Sequence, residues 1–396
     1  MTSAPRPDTD TALVPPGWPL PPAADLARSR ALRALLRAQM DAAGGSIPFA
    51  RFMELALYAP ELGYYSAAQP KFGEAGDFVT APELSPLFGL CLANQIAQVL
   101  EQVDGGDILE AGAGSGMLAA EVLLALEARG RLPQHYFILE LSAALRALQQ
   151  HTLERRAPHL LARVCWLDAL PPPGFRGVVL GNELLDALPV TRFRVNGGGV
   201  LEQHVRYDGD EFAFCEQPAS AGVTARVAAL GLPSNYVSEL GLQADAWLRS
   251  VATRLELGVV LLLDYGFPRA ELYHPQRAHG TLMCHYRHRS HDNPLILVGL
   301  QDITAHVDFT AIAEAGHDTG LKLFGYTSQA AFLIGCGLTE LAIESMDLRP
   351  QLEQAQAMNK LTAPHEMGEL FKVIALGRGV RAPLRGFVIQ DRRSRL

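Results

Sequence analysis

Between residues 107 and 118 the chain reads DILEAGAGSGML, an apolar run closed by an acid and three glycines spaced two apart. Gly112, Gly114 and Gly116 let a backbone come close to a ligand and adopt φ values that other residues avoid. The spacing is not the G-x-G-x-x-G of a dinucleotide loop, because the third glycine of that pattern would fall on Met117. Glu110 precedes the loop. The next apolar run, YFILEL, carries Glu140 near its end, where an acid is placed to accept hydrogen bonds from both hydroxyls of an adenosine ribose. Sites for dinucleotides and for S-adenosylmethionine (SAM) share that second acid, and they part at the phosphate. A dinucleotide needs a helix N-terminus aimed at its pyrophosphate. SAM carries a sulfonium and an amino-acid tail, which suit an acid beside the loop. The two acids favour SAM as cofactor over the NAD of an oxidoreductase, and they argue against a glycine turn with no ligand.

Three further places carry polar groups of possible use. Asp168, in WLDAL, follows a third apolar run and would lie on the adenine side of such a pocket, with a helix N-cap as the plainer role. In GNELLDALPV a buried strand ends in Asn182 and Glu183, with Asp186 three residues on. Ligands of open α/β sheets sit at the carboxyl ends of the strands. At helical spacing both carboxylates would fall on one side and converge on one cation, while a capped short helix is the plainer reading. The stretch GDFVTAPE puts Gly76, Asp77, Thr80 and Glu83 on a loop shaped by glycine and proline.

These groups need a sheet to hold them. From residue 107 strand-length apolar runs alternate with helical patterns: DILEAG with MLAAEVLLALEARG, YFILEL with SAALRALQQHTLERR, then RVCWL and GVVLGN. Such alternation predicts βαβ units and a parallel sheet. Before it, residues 24–41 predict an amphipathic helix with Arg28, Arg30, Arg33 and Arg37 on a solvated face. Ser46 reads as the start of a second helix with Pro48 in its first turn, and a third helix spans about 86–102. After Pro189 short alternating strands predict an inserted antiparallel meander. A helix over about 239–256, stopped by Gly258, returns the chain to the strand VVLLLDYG. The expected domains are a disordered or loosely packed proline-rich lead-in over 1–23 and a helical part over 24–105. A main domain over 106–380 carries insertions at about 190–257 and 268–320, and 381–396 form a polar tail.

The chain has 396 residues, 48% of them hydrophobic, so it can bury a sizeable core. A net charge of −8 argues against nucleic acid as the main partner. No run approaches the roughly 18 apolar residues that span a bilayer, and the N-terminal stretch lacks the features of a signal or transit peptide. Five scattered cysteines without C-x-x-C suit thiols in a reducing cytoplasm, the expected location. The histidines His274, His279, His285, His288 and His291 lack a zinc finger's spacing, and the arginines among them would repel a cation, so no metal is expected. No segment sets an oligomeric state.

The segments KFGEAGDFVTAPELSPLFG, EAGAGSG, GNELLDALPVTRF, DYG, QDITAHVDF and GELFKVIALGRG, in this order over roughly residues 28–380, resemble the MidA family of class I SAM-dependent methyltransferases. That family includes a mitochondrial protein-arginine methyltransferase of complex I assembly. The resemblance implies an α/β fold with a Rossmann-like sheet, mostly parallel with its last strand antiparallel, plus a helical N-terminal part and inserted elements. It implies that Glu110, Gly112, Gly114, Gly116 and Glu140 contact SAM and that the 76–83 loop closes over it. It also implies symmetric-type arginine methylation of a protein, a complex I subunit among the candidates. Glu183 and Asp186 would then grip the acceptor, with Asp77 and Glu83 as second choices. A client-binding assembly factor that holds SAM without turnover is the alternative. Ala113 stands where relatives often carry proline, which costs the loop some stiffness.

Overall fold

The computed structural model describes residues 14–67, 71, 80–341, 348–381 and 383–396. The chain forms two compact units. One comprises Val79–Asp186, Leu242–Leu272 and His306–Leu396, and the other Met1–Phe78, Ala187–Gly241 and Tyr273–Ala305.

The first unit is built on seven main strands: β1 (Asp107–Ala111), β2 (Tyr136–Leu139), β3 (Val164–Leu167), β4 (Phe175–Asn182), β5 (Leu255–Phe267), β6 (Lys322–Ser328) and β7 (Phe371–Arg378). Their order across the sheet is β3-β2-β1-β4-β5-β7-β6. Strands β3 to β5 in that order run parallel. Strand β7 is antiparallel to both of its neighbours, as expected. The central strands are covered on both faces, which is why they read as unbroken apolar runs; Val259 to Leu263 of β5 are at most 1% exposed. Among the helices are α1 (Ala81–Leu84), α2 (Pro86–Gln102), α3 (Met117–Ala128), α4 (Ala143–Arg156) and α5 (Leu242–Arg254). Phe88, Leu92 and Ile96 of α2 and Leu118, Val122 and Leu126 of α3 share one core with Ile108, Ile138, Leu180 and Leu261 of the sheet.

Gly258 does not stop a helix. The helix of that region is α5, and a strand, Tyr236–Leu240, takes up the start of the expected 239–256 span. Gly258 lies inside β5 beside Gly177 of β4, with φ of +137° and +134°. A Cβ on Gly258 would sit 1.9 Å from the Gly177 carbonyl oxygen, so glycine is required by the closeness of the strands. The expected polar tail is also anchored: Phe387 packs edge-on against Phe332, and the Arg392 guanidinium holds Glu369.

In the second unit the meander strands Thr191–Asn196, Gly199–Asp208, Glu211–Pro218 and Tyr236–Leu240 are antiparallel. Ser46–Pro48 corrects the expected helix start. It is a strand paired with Gly199–Asp208, and the helix begins after it at Phe49. The arginines of the Ala23–Ala42 helix are not simply solvated. Arg33 lies over the Phe212 ring, Arg37 over the Tyr207 ring, and Arg28 pairs with Asp25. Aromatic faces of the meander give these cations partners. The lead-in is packed where it is described: Trp18 stacks on Tyr286, whose hydroxyl donates to the Pro19 carbonyl. The His/Arg segment forms a hairpin of Met283–Tyr286 with Arg289–His291, turned by Arg287 and His288 at positive φ. Glu239 accepts from the Thr281 amide at 2.8 Å and pairs with Arg192, which ties this segment to the meander. Among the described residues no three His, Cys, Asp or Glu side chains gather as a metal site, and no helix is long and apolar enough to cross a membrane.

Candidate functional site

The glycine loop joins β1 to α3, and Gly112, Gly114 and Gly116 all have positive φ, +69°, +52° and +80°. Glu110 is the fourth residue of β1, only 2% exposed. Its Oε2 accepts a hydrogen bond from the Tyr136 hydroxyl at 2.7 Å, and burial pushes its carboxyl up to about 7. The expected acid beside the loop is thus a buried brace between β1 and β2.

Glu140 follows β2 directly. Its carboxylate accepts from the Ser142 amide (2.8 Å) and from Gln149 Nε2 (3.2 Å), and the Ser142 hydroxyl in turn caps α4. Burial raises its pKa while these donors oppose the rise. Asp168 follows β3. Its side chain is 89% exposed and paired with Arg146 at 2.6 Å. No helix follows it to be capped, because the chain runs into prolines.

The end of β4 is different. Residues 183–186 form a turn and not the helical spacing expected. The reason is Asp264 on the neighbouring β5, only 1% exposed. Its Oδ2 accepts from the amides of Leu184 (3.0 Å), Leu185 (2.7 Å) and Asp186 (3.4 Å), and its Oδ1 from that of Tyr265 (2.9 Å). Burial pushes the Asp264 carboxyl up to about 7 against the pull of these four donors. Wrapping the turn around one carboxylate puts Glu183 at φ +51°, a conformation costly for a residue with a side chain. Its amide donates to the Leu263 carbonyl, and its Oε1 accepts from Asn182 Nδ2 at 3.2 Å. Asp186 is 4% exposed. Glu183, Asp186 and Asp264 all stand close enough to Tyr265 to add to the rise that burial imposes on its phenol. The charges of Glu183 and Asp186 thus reach the same phenol, from a turn gathered by Asp264.

Thr80 occupies the N-cap position of α1 without a capping hydrogen bond from its side chain. Glu83 of α1 accepts from the Ser115 hydroxyl in the glycine loop. Gly76 and Asp77 lie outside the described residues.

Asp264, Tyr265 and Gln149 were not singled out by residue type. The signal for Asp264 was present, an acid closing an apolar strand as Glu140 does. For Gln149, a lone amide in a helix, there was none.

An S-adenosyl cofactor fits these residues. The glycine loop is in the left-handed conformation, the Glu140 carboxylate is held in place, and Asn182 Oδ1 is buried without a donor among the described residues. Residues 91–327 match a family of S-adenosyl-L-methionine-dependent methyltransferases. A Drosophila melanogaster protein named protein arginine methyltransferase NDUFAF7 homolog, mitochondrial, is 27% identical over 373 residues, covering 85% of this chain and 83% of that protein. The Mus musculus protein arginine methyltransferase NDUFAF7, mitochondrial, is 28% identical over 368 residues, covering 84% of this chain and 81% of that protein. Those names place the relatives in mitochondria and lend no support to a cytoplasmic location. A crystal structure of a Burkholderia thailandensis protein bound to S-adenosyl-homocysteine is similar over 96% of this chain and 100% of that one, at 49% identity and a TM-score of 0.93. The cofactor is S-adenosyl-L-methionine. The chain belongs to the MidA family of class I SAM-dependent methyltransferases.

Proposed function

We propose that this methyltransferase modifies an arginine side chain of a protein, a respiratory complex I subunit or a protein of similar kind. The observation that carries the reading is the end of β4, where a turn gathered by the buried Asp264 holds Glu183 at positive φ three residues before Asp186. Strain of this sort persists where the surroundings over-determine it, and it concentrates at functional sites. The names of the curated relatives support the arginine acceptor.

An arginine side chain stays protonated in a protein, with a pKa above ~12. Its reactivity depends on how it is held. Two carboxylates can grip the planar fork and turn one nitrogen away from the pair, toward the electrophile. Glu183 and Asp186 take that role. Glu83 takes a supporting one, bracing the glycine loop through Ser115, and Asp77 is the other second choice. Gly112, Gly114, Gly116, Glu140 and Asn182 would hold the cofactor, with Glu110, bonded to Tyr136, tying the strand that leads into the loop to β2. Thr80, Gly76 and Asp168 are its outer contacts. When bound, SAM supplies a methyl group on a sulfonium. The protein's own contribution is positioning and the exclusion of water.

The test is transfer of labelled methyl from SAM to purified complex I subunits, with the modified residue located by mass spectrometry. Methylarginine that appears only with this protein is the expected result; free amino acids, DNA and tRNA should accept no label. Label on another residue type would overturn the arginine reading. Tight SAM binding without any labelled protein would leave a cofactor-holding assembly factor.

A further inference from the structure

Gln149 is fully buried on α4 and touches three elements of the cofactor site. Its Nε2 lies 3.2 Å from the Gly114 carbonyl oxygen in the glycine loop and 3.2 Å from Oε2 of Glu140. Its Oε1 accepts the indole N–H of Trp166 on β3 at 3.0 Å. A Cβ on Gly116 would come within 2.9 Å of the Gln149 Cα, so the loop packs directly on this residue. The amide can face only one way. Turned over, its oxygen would meet two acceptors and its NH2 group a donor.

We propose that Gln149 is the positioning residue of the cofactor site, locking the glycine loop and the Glu140 carboxylate into one rigid arrangement with Trp166 as the pin. The inference rests on Glu140 as the acid that accepts the ribose hydroxyls. A carboxylate has about four lone-pair sites. The Ser142 amide bonds one oxygen and Gln149 the other, with the Leu141 amide as a further donor, which fixes the plane of the group and its open side for a diol. The same NH2 group holds the Gly114 carbonyl, so loop and acid cannot move independently. Both the type and the orientation of this amide therefore determine SAM affinity, although Gln149 need not touch the cofactor.

The test is SAM titration by calorimetry on the full chain, with melting temperature measured alongside. Gln149→Met keeps the volume and removes every hydrogen bond, and affinity should fall roughly 10-fold, the scale of one charge-assisted bond. Gln149→Glu sets a second carboxylate against Glu140. It should bind SAM more weakly than Gln149→Met at pH 8 and recover as the pH falls and a donor is restored, a profile that a simple packing role would not produce. Combined with Glu140→Ala, Gln149→Met should cost no more than a few-fold further, because much of its effect passes through that acid. SAM affinity of Gln149→Met within two-fold of the parent, or losses that multiply in the double variant, would overturn the proposal. If Gln149→Met does not fold, Trp166→Phe removes only the pin; a few-fold loss is then expected, and unchanged affinity counts against the proposal. Should Glu140→Ala alone bind SAM normally, the ribose reading fails, while Gln149→Met still tests the hold on Gly114.

Discussion

The ends of β2 and β4 begin alike in sequence, each an apolar strand closed by a glutamate, and they are built in opposite ways. After β2 the backbone is ordinary and the carboxylate of Glu140 is what is held, by the Ser142 amide and Gln149. After β4 the backbone is what is held. Asp264 gathers three successive amides of the turn, and Glu183 sits in a strained conformation with its carboxylate accepting from its neighbour Asn182. A fixed acid suits a ligand that binds the same way every time. An acid presented on a strained turn suits a group that must be aimed.

The comparison is broken most severely at Asp264. Asp264→Ala strips the acceptor from four amides, and each buried donor left bare costs ~1–3 kcal/mol. Melting temperature should fall by roughly 10 °C and methyl transfer should be lost, whereas Asp264→Asn, which keeps one acceptor oxygen, should lose less of both. An Asp264→Ala protein with parental stability would show that the turn holds itself.

Glu183→Gln separates aiming from holding. SAM should bind within a few-fold of the parent, while transfer falls ~10²-fold or more, the scale of a preorganised charged contact. If the acid is scaffold, stability drops and the activity per folded molecule does not. Glu183→Gly sharpens the same point: it relieves the left-handed strain and should raise the melting temperature slightly, while transfer is lost.

At the other strand end, Glu140→Ala should weaken SAM binding on the order of 10- to 100-fold, equivalent to ~1.5–3 kcal/mol, and leave the turnover of saturated enzyme nearly intact. Calorimetry and saturation kinetics on that variant would show whether the two acids serve separate roles.

The smallest effect is on pH. Burial pushes Glu110 from 4.5 up to about 7, so between those values the folded chain binds more protons than the unfolded one. Its contribution to stability is therefore greatest at the low end of that window, declines as pH rises through it, and is constant above. In Glu110→Gln the melting temperature should fall less steeply from pH 5 to pH 8 than in the parent. Parallel slopes would show that Glu110 is ionised throughout.

The strands and the glycine loop were legible because their signals are local. An apolar run of strand length, a triplet of spaced glycines and an acid at a strand end each follow from the geometry of a parallel sheet with its ligand at the carboxyl edge. The order of the sheet was legible only through the resemblance of the quoted segments to a family. The Ser46–Pro48 strand was not legible, since three residues show no period, and their strand character comes from pairing with a partner some 150 residues away. Nor were the partners of Arg33 and Arg37, because a cation on a helix face reads as solvated until an aromatic ring from elsewhere is laid against it. Glu183 and Asp186 were singled out by type and expected at a spacing the structure does not have. Helical spacing is a property of the chain itself, whereas the observed turn is imposed by a carboxylate on another strand. Residue types and strand ends were thus fixed by the order of the amino acids. What fixes each strand end, Gln149 bridging the Gly114 carbonyl and Glu140 at one and Asp264 gathering the turn amides at the other, was decided by tertiary structure, because Gly114 lies 35 residues from Gln149 and Asp264 about 80 from the turn, and such groups come close only once the sheet has formed.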